Sequence, residues 1–329
     1  MQYRKFGNTG LVVSEIGFGA WAIGGGTMIG NTAIGWGAAD DVTSVEAIEA
    51  ALDAGVTFFD TADIYGLGHS EDLLGRTIHK EANVVIATKV GNVSRDQAFT
   101  TDYSKEYILT ACEKSLKRLK KDTIDYYQLH TAKLEHLKNG ECIEAMQTLQ
   151  QEGKIRYWGL SLNTFDPATE AHFCMKNQWG HGFQLVLNLI NQKALDVLKE
   201  SAAEGYGIIA RMPLQFGLLT GKFTEASIFE ENDHRQKRLT SEVIGKAEEA
   251  LQPVWELCHK YKCTKTALAL SFVLSYAGVS TVIPGIRSSE QVIQNTTGLV
   301  KLDEPDQGLI ESLGKTSLAD LLSFIQKQG

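Results

Sequence analysis

The chain has 329 residues, 43% of them hydrophobic and 22% charged, with a net charge of −8 at neutral pH; this is an ordinary soluble globular balance. The acidic excess is spread without long single-sign runs, which argues against nucleic acid or an anionic membrane as a partner. No apolar stretch approaches membrane-spanning length, and Met1 to Phe6 lacks the apolar run of a signal peptide. Five scattered cysteines (Cys112, Cys142, Cys174, Cys258, Cys263) without a CxxC pair read as reduced thiols, so the chain is predicted to be cytoplasmic.

In chain order, Leu11 to Phe18 reads as a first strand, followed by the glycine-rich stretch Gly17 to Gly26. Val42 to Ala54 is an amphipathic helix stopped by Gly55. Val56 to Phe59 is a short apolar, β-branched and aromatic strand that ends in Asp60. A helix from Ser70 to Ile78 leads to the strand Val84 to Thr88, which closes on Lys89. Helix Ser104 to Lys120 leads to strand Asp125 to Leu129, closing on His130. The alternation continues with helix Cys142 to Glu152, strand Ile155 to Leu160, helix Asp166 to Lys176 and strand Phe183 to Leu189. Helix Ala194 to Glu204 and strand Gly207 to Ala210 follow, and then a polar excursion from Gly217 to Glu242. Helices Ile244 to Tyr261 and Lys265 to Tyr276, strand Val279 to Ile283, helix Ser288 to Thr297 and a helical tail from Asp306 complete the chain.

Eight strands alternating with helices imply a parallel sheet. With no Pro/Gly/Ser-rich linker, one (β/α)8 TIM barrel spanning residues 1–329 is favoured over two doubly wound domains, with long C-terminal-face loops and extra C-terminal helices. In such a barrel the functional residues sit at the C-terminal strand ends, where Asp60, Lys89 and His130 fall. Tyr65, five residues past Asp60, is a phenol that can face the same cleft; it becomes a useful proton donor if a nearby cation lowers its pKa.

Asp60-Thr61-Ala62-Asp63-Ile64-Tyr65-Gly66 with Ser70-Glu71 and Gly75, Thr88-Lys89, Gln128-Leu129-His130, Gly159-Leu160-Ser161, Gly217 to Lys222 and Ile283 to Arg287 stand in this order and spacing along nearly the whole chain. In these motifs the chain resembles the aldo-keto reductase superfamily, especially its bacterial general-stress and inositol-locus reductase branch. The resemblance implies an NADP(H)-dependent oxidoreductase interconverting a small-molecule carbonyl (aldehyde, ketone or sugar) and an alcohol. It implies a tetrad of Asp60, Tyr65, Lys89 and His130: Tyr65 gives and takes the proton, Lys89 tunes it, Asp60 fixes Lys89, and His130 orients the carbonyl.

The cofactor contacts carried over are Gly19, Ala20, Trp21 and Asp60 beside the nicotinamide ribose, and Ser161, Asn163 and Gln184 at the carboxamide, with Leu162 splitting the usual adjacent Ser-Asn pair. Arg211 stands where many members place a ring-stacking tyrosine. Leu214, Gly217, Leu219, Thr220, Gly221 and Lys222 form the loop over the pyrophosphate, and Gly285, Arg287, Gln291 and Asn295 the adenosine end. Arg287 could pair with a 2′-phosphate, which favours NADP(H) over NAD(H), although an exposed charge at a helix start is the competing reading. Two other functions stay open: an NADP(H)-binding redox sensor or regulatory subunit with little turnover, and a sugar or polyol dehydrogenase or epimerase.

Three motifs are set aside. Gly17-Phe18-Gly19-Ala20-Trp21-Ala22 fits a dinucleotide fingerprint, but the glycines that follow do not open a helix. Tyr261 and Lys265 mimic a Tyr-x-x-x-Lys pair without a nucleotide fingerprint at the chain's start, and Gly159 to Asn163 lacks the last glycine of a nucleophile elbow. No cluster has metal-ligand spacing, so no metal is expected. Substrate choice falls to the loops Met28 to Asp40, Thr131 to Asn139 and Phe223 to Lys237, which carry no readable code. The oligomeric state has no signature either.

Overall fold

A computed structural model describes residues 1–30, 32–231 and 233–328. Asn31 and Asn232, which fall in two of the predicted substrate loops, and Gly329 lie outside the described residues. The main sheet has eight parallel strands: Phe18–Gly19, Phe58–Asp60, Val85–Val90, Ile124–His130, Ile155–Ser161, Gly182–Val186, Gly207–Arg211 and Thr281–Ile283, each hydrogen-bonded to its sequence neighbours. Bridges Ile16–Val282 and Gly19–Gly285 join the first strand to the eighth and close the sheet into a barrel. The seam requires a glycine at position 19, because a Cβ there would lie 2.7 Å from the Pro284 carbonyl oxygen.

Strand alternation decides what fills the cylinder. Phe58, Val85, Ala87, Tyr126, Ile209 and Ile283 form an inner cluster, whereas Phe59, Ile86, Val90, Tyr127 and Leu129 belong to the outer core beneath the helices. Two residues further along the same inward rows come Asp60 after Phe58, Lys89 after Ala87 and Gln128 after Tyr126. The site is therefore the polar top layer of an otherwise apolar barrel interior.

The predicted first strand, Leu11 to Phe18, is two elements. Val12–Ser14 pairs antiparallel with Tyr3–Lys5, and the barrel strand itself starts at Phe18. This hairpin sends Phe6, Leu11 and Val13 into the inner cluster from below and plugs the barrel floor. The strand expected to reach Leu189 ends at Val186, because Asn188 Oδ1 instead accepts from the backbone N–H groups of Ile190 and Asn191 in a turn.

Helix starts follow side-chain caps: Asp40, Ser104, Thr240, Thr264 and Ser288 each accept a backbone N–H three residues on. Gly55 takes φ 83° just past the first long helix. Four elements above the barrel are additional to the predicted set: the hairpins Met28–Ile29/Thr32–Ala33 and Asn92–Arg95/Ala98–Thr101, and the short helices Leu134–Asn139 and Arg235–Arg238. The tail forms two helices, Glu304–Gly314 and Ser317–Gln328.

Candidate active site

Asp60, at the tip of the second strand, is 3% exposed, and Lys89 is fully buried. Lys89 Nζ donates to Asp60 Oδ2 at 2.6 Å and to the Thr61 carbonyl oxygen at 2.8 Å. The other carboxylate oxygen of Asp60 accepts from Gln184 Nε2 at 2.7 Å and Gln128 Nε2 at 3.1 Å. Side chains from three other strands thus converge on one carboxylate, which holds the ammonium in place.

Tyr65 opens the tight turn Tyr65–Gly68, in which Gly66 and Leu67 take φ 61° and 53°. A Cβ at Gly66 would lie 2.3 Å from the Gly24 carbonyl oxygen, so the turn can press against the first loop only with glycine there. The turn is anchored from behind by Glu71, fully buried, which accepts from Thr88 Oγ1 at 2.5 Å and Arg118 Nε at 2.7 Å. Lys89 Nζ sits 5.1 Å from the Tyr65 ring centroid. The Trp21 ring stacks on Tyr65 at 5.8 Å, and His130 meets it edge-on at 5.9 Å. The four polar tips are therefore one cluster.

The electrostatics modify one expectation. Lys89 and Arg211 do pull the Tyr65 phenol down, but burial outweighs them and holds its pKa above the ordinary 10.0, with the Asp60 charge adding to the rise. At neutral pH the phenol carries its proton. Burial, then Lys89 and Arg211, push His130 well below 6.5, so its imidazole is neutral. Its Nδ1 has no partner among the described residues.

A cavity of about 720 Å³ covers this cluster. Asp60, Tyr65 and His130 line it, and so do Gly19, Trp21, Ser161, Gln184 and Arg211. Farther along, Leu214, Gly217, Thr220 and Lys222 form one wall, and Gly285, Arg287, Gln291 and Asn295 the end. A Cβ on Gly285 would meet open space. Lys222 and Arg287 form no ion pair among the described residues, and the nearby Arg235 and Arg287 depress the Lys222 pKa, after burial itself.

Four predicted residues are placed elsewhere. Ala20 is buried, its carbonyl accepting from Ser70 Oγ. Leu219 is core, and Gly221 makes a turn at φ 76°. Asn163 is exposed and spends its Oδ1 on the backbone N–H groups of Phe165 and Asp166. It faces a smaller neighbouring cavity of about 360 Å³, while Leu162, between it and Ser161, is buried in the outer core. Gln184 faces the main cavity, but its amide N–H is given to Asp60. Arg211 Nη2 is held by the Leu162 carbonyl and Thr164 Oγ1, both at 3.1 Å, leaving Nε buried and unpartnered.

Sequence reasoning did not single out the roof. His234 stacks on Trp21 at 4.8 Å and meets Trp36 and Phe216 edge-on at 4.9 and 5.0 Å. Arg235 pairs with Asp233 and lies over the Trp36 ring at 4.9 Å. These contacts join loops some 200 residues apart, and no local pattern announces them. Among the described residues no His/Cys/Asp/Glu group could hold a metal ion, and no helix is long and apolar enough to cross a membrane.

Residues 15–315 match the Aldo/keto reductase family model, and the chain belongs to that family. Its members are oxidoreductases that interconvert carbonyls and alcohols. The chain is 32% identical to the aldo-keto reductase YhdN of Bacillus subtilis, over 97% of this chain and 96% of that one. It is 28% identical to the NADH-specific methylglyoxal reductase of Escherichia coli, over 96% and 99%. Among solved structures, the glycerol dehydrogenase AKR11B4 from Gluconobacter oxydans aligns with a TM-score of 0.80 at 27% identity, covering 96% of each chain.

Proposed function

We propose that the protein is an NADP(H)-dependent reductase of small carbonyl compounds, with Tyr65 as proton donor, His130 as carbonyl-orienting group, and Lys89 and Asp60 as the pair that positions and polarises the phenol. The observation that carries this reading is the buried Lys89–Asp60 pair at 2.6 Å beneath a Tyr65 ring that lines a large cavity opposite a neutral His130. A neutral imidazole can donate a hydrogen bond to a carbonyl oxygen as negative charge develops there. A phenol still protonated at neutral pH can then hand its proton to that oxygen, and the adjacent ammonium stabilises the phenolate left behind. In the alcohol-oxidising direction the same phenol must first be deprotonated, so oxidation gains with rising pH.

The residues present fit a nicotinamide dinucleotide. Such a group, when bound, supplies the hydride. Ser161 and Gln184 would hold its carboxamide and Arg211 its ring, since the guanidinium is fixed in the cavity wall. Lys222, with Gly217 and Thr220 beside it in the same cavity wall, would take the pyrophosphate. Gly285 leaves room at the far end, and Arg287 stands just before the capped helix Ser289–Thr296 without a carboxylate partner among the described residues. Its free cation suits a 2′-phosphate. One relative is named as NADH-specific, so the preference rests on Arg287 itself. Single-domain organisation, a cytoplasmic setting and a metal-free site belong to the same proposal.

The test is a fluorescence titration with NADPH and NADH, followed by aldehydes and sugars in the same cuvette. Tighter NADPH binding and loss of nicotinamide absorbance on adding a carbonyl support the reading. Binding without any turnover would move it to a nucleotide sensor, and no binding would overturn it.

A further inference from the structure

The third strand does not stop at the site; Gly91 turns it into the hairpin Asn92–Arg95/Ala98–Thr101, which overhangs the cavity. Asn92 and Thr101 are directly paired across this hairpin, and Phe99, two residues from Thr101, shares their face. All three line the cavity. Asn92 is 8% exposed, yet its side-chain amide has no hydrogen-bond partner among the described residues. An amide in the cavity wall that spends neither its donor nor its acceptor on the described residues is open to a ligand.

Its position is fixed against the chemistry. Gly91 takes φ 119°, and the Tyr103 ring fills the space where a Cβ would stand, 2.1 Å from Cε1. Asp102 N–H donates to the Gly91 carbonyl at 2.8 Å, and Tyr103 Oη donates to the His130 carbonyl at 2.6 Å. The base of the hairpin is thus tied to the backbone of the residue that faces the reacting carbonyl. An amide so placed cannot drift away from a group carried next to that carbonyl.

We infer that Asn92, with the Thr101 hydroxyl beside it, is a specificity-determining residue that selects carbonyl compounds bearing a hydroxyl near the carbonyl over their deoxygenated counterparts. This rests on the carbonyl-reductase reading. A buried polar group that goes unpaired with the wrong substrate discriminates far better than an apolar wall does. Phe99 at the rim limits the length of a purely polar substrate and gives a longer one an apolar surface.

The test uses the full chain with its preferred nicotinamide cofactor and two aldehydes of equal length, glyceraldehyde and propanal. Wild type is expected to favour glyceraldehyde in kcat/KM. In Asn92→Leu, and in the less bulky Asn92→Ala, the glyceraldehyde/propanal ratio should fall by about tenfold or more. Thr101→Val should lower it by a smaller factor. A wild-type ratio near one, or a ratio that changes by less than about twofold in both Asn92 variants, overturns the inference while leaving the reductase reading intact. Failure of wild type to consume reduced cofactor with either aldehyde, or with any other carbonyl, overturns both.

Discussion

Lys89 is a fully buried charge whose ammonium is held by Asp60 and the Thr61 carbonyl, and removing it has a calculable consequence. Lys89→Met leaves Asp60, 3% exposed, with only two amide donors, Gln184 at 2.7 Å and Gln128 at 3.1 Å, and strips the Thr61 carbonyl of its partner. Breaking one side of a buried pair costs about 3–5 kcal/mol, because the remaining charge is uncompensated. The two retained amides put this case near the lower end, at roughly 3 kcal/mol. Asp60→Asn strands the ammonium and should cost a similar amount. The double variant removes both charges, so its loss should be less than the sum by about 2 kcal/mol. Urea unfolding at pH 7, followed by tryptophan fluorescence and circular dichroism, gives all three values. Single variants that each cost under about 1 kcal/mol and add within about 0.5 kcal/mol would refute a buried, coupled pair.

Two further outcomes follow from the roof and the phosphate end. His234 is buried neutral, its pKa held at about 4 by burial and by Arg238 and Arg235 against the pull of Asp233. Its folded pKa lies below the ordinary 6.5, so nothing is lost above pH 6.5 and stability falls as the pH drops toward 4. The shift corresponds to roughly 3 kcal/mol. His234→Phe should flatten this acid limb, measured as ΔG of unfolding against pH, and an unchanged slope would show that other groups carry it. Arg287→Ala should weaken NADPH about 10–100-fold in a fluorescence titration while moving NADH far less, as a lost charge-assisted phosphate contact predicts. Equal losses for both would make Arg287 a general structural residue.

The barrel and its polar tips were legible because the second, third and fourth strands are short apolar runs that lead into Asp60, Lys89 and His130, and period-two alternation then carries Asp60, Lys89 and Gln128 inward. The floor was misread where Leu11 to Ser14 continues the apolar pattern of the strand beyond it, since hydrophobicity alone does not show that a chain reverses. The Asn92–Thr101 hairpin stayed hidden because most of it is exposed and polar, and strand pairing there rests on backbone bonds rather than a buried face. Asn163 shows the limit of carrying a motif over: with Leu162 splitting the pair, its side chain lines the neighbouring cavity and caps the turn to Phe165 and Asp166. The sign of the Tyr65 shift was equally unreadable, because it depends on how far burial outweighs one ammonium, and burial is a property of the fold.

The central claim is that Tyr65 moves the proton, and Tyr65→Phe removes only that hydroxyl while keeping the ring between Trp21 and His130. Paired measurements of nicotinamide affinity and of kcat for carbonyl reduction test it directly. The account predicts cofactor affinity within about threefold of wild type and kcat lower by at least about 10²-fold, as loss of general acid catalysis requires. A variant that binds cofactor and reduces carbonyls at the wild-type rate would contradict it.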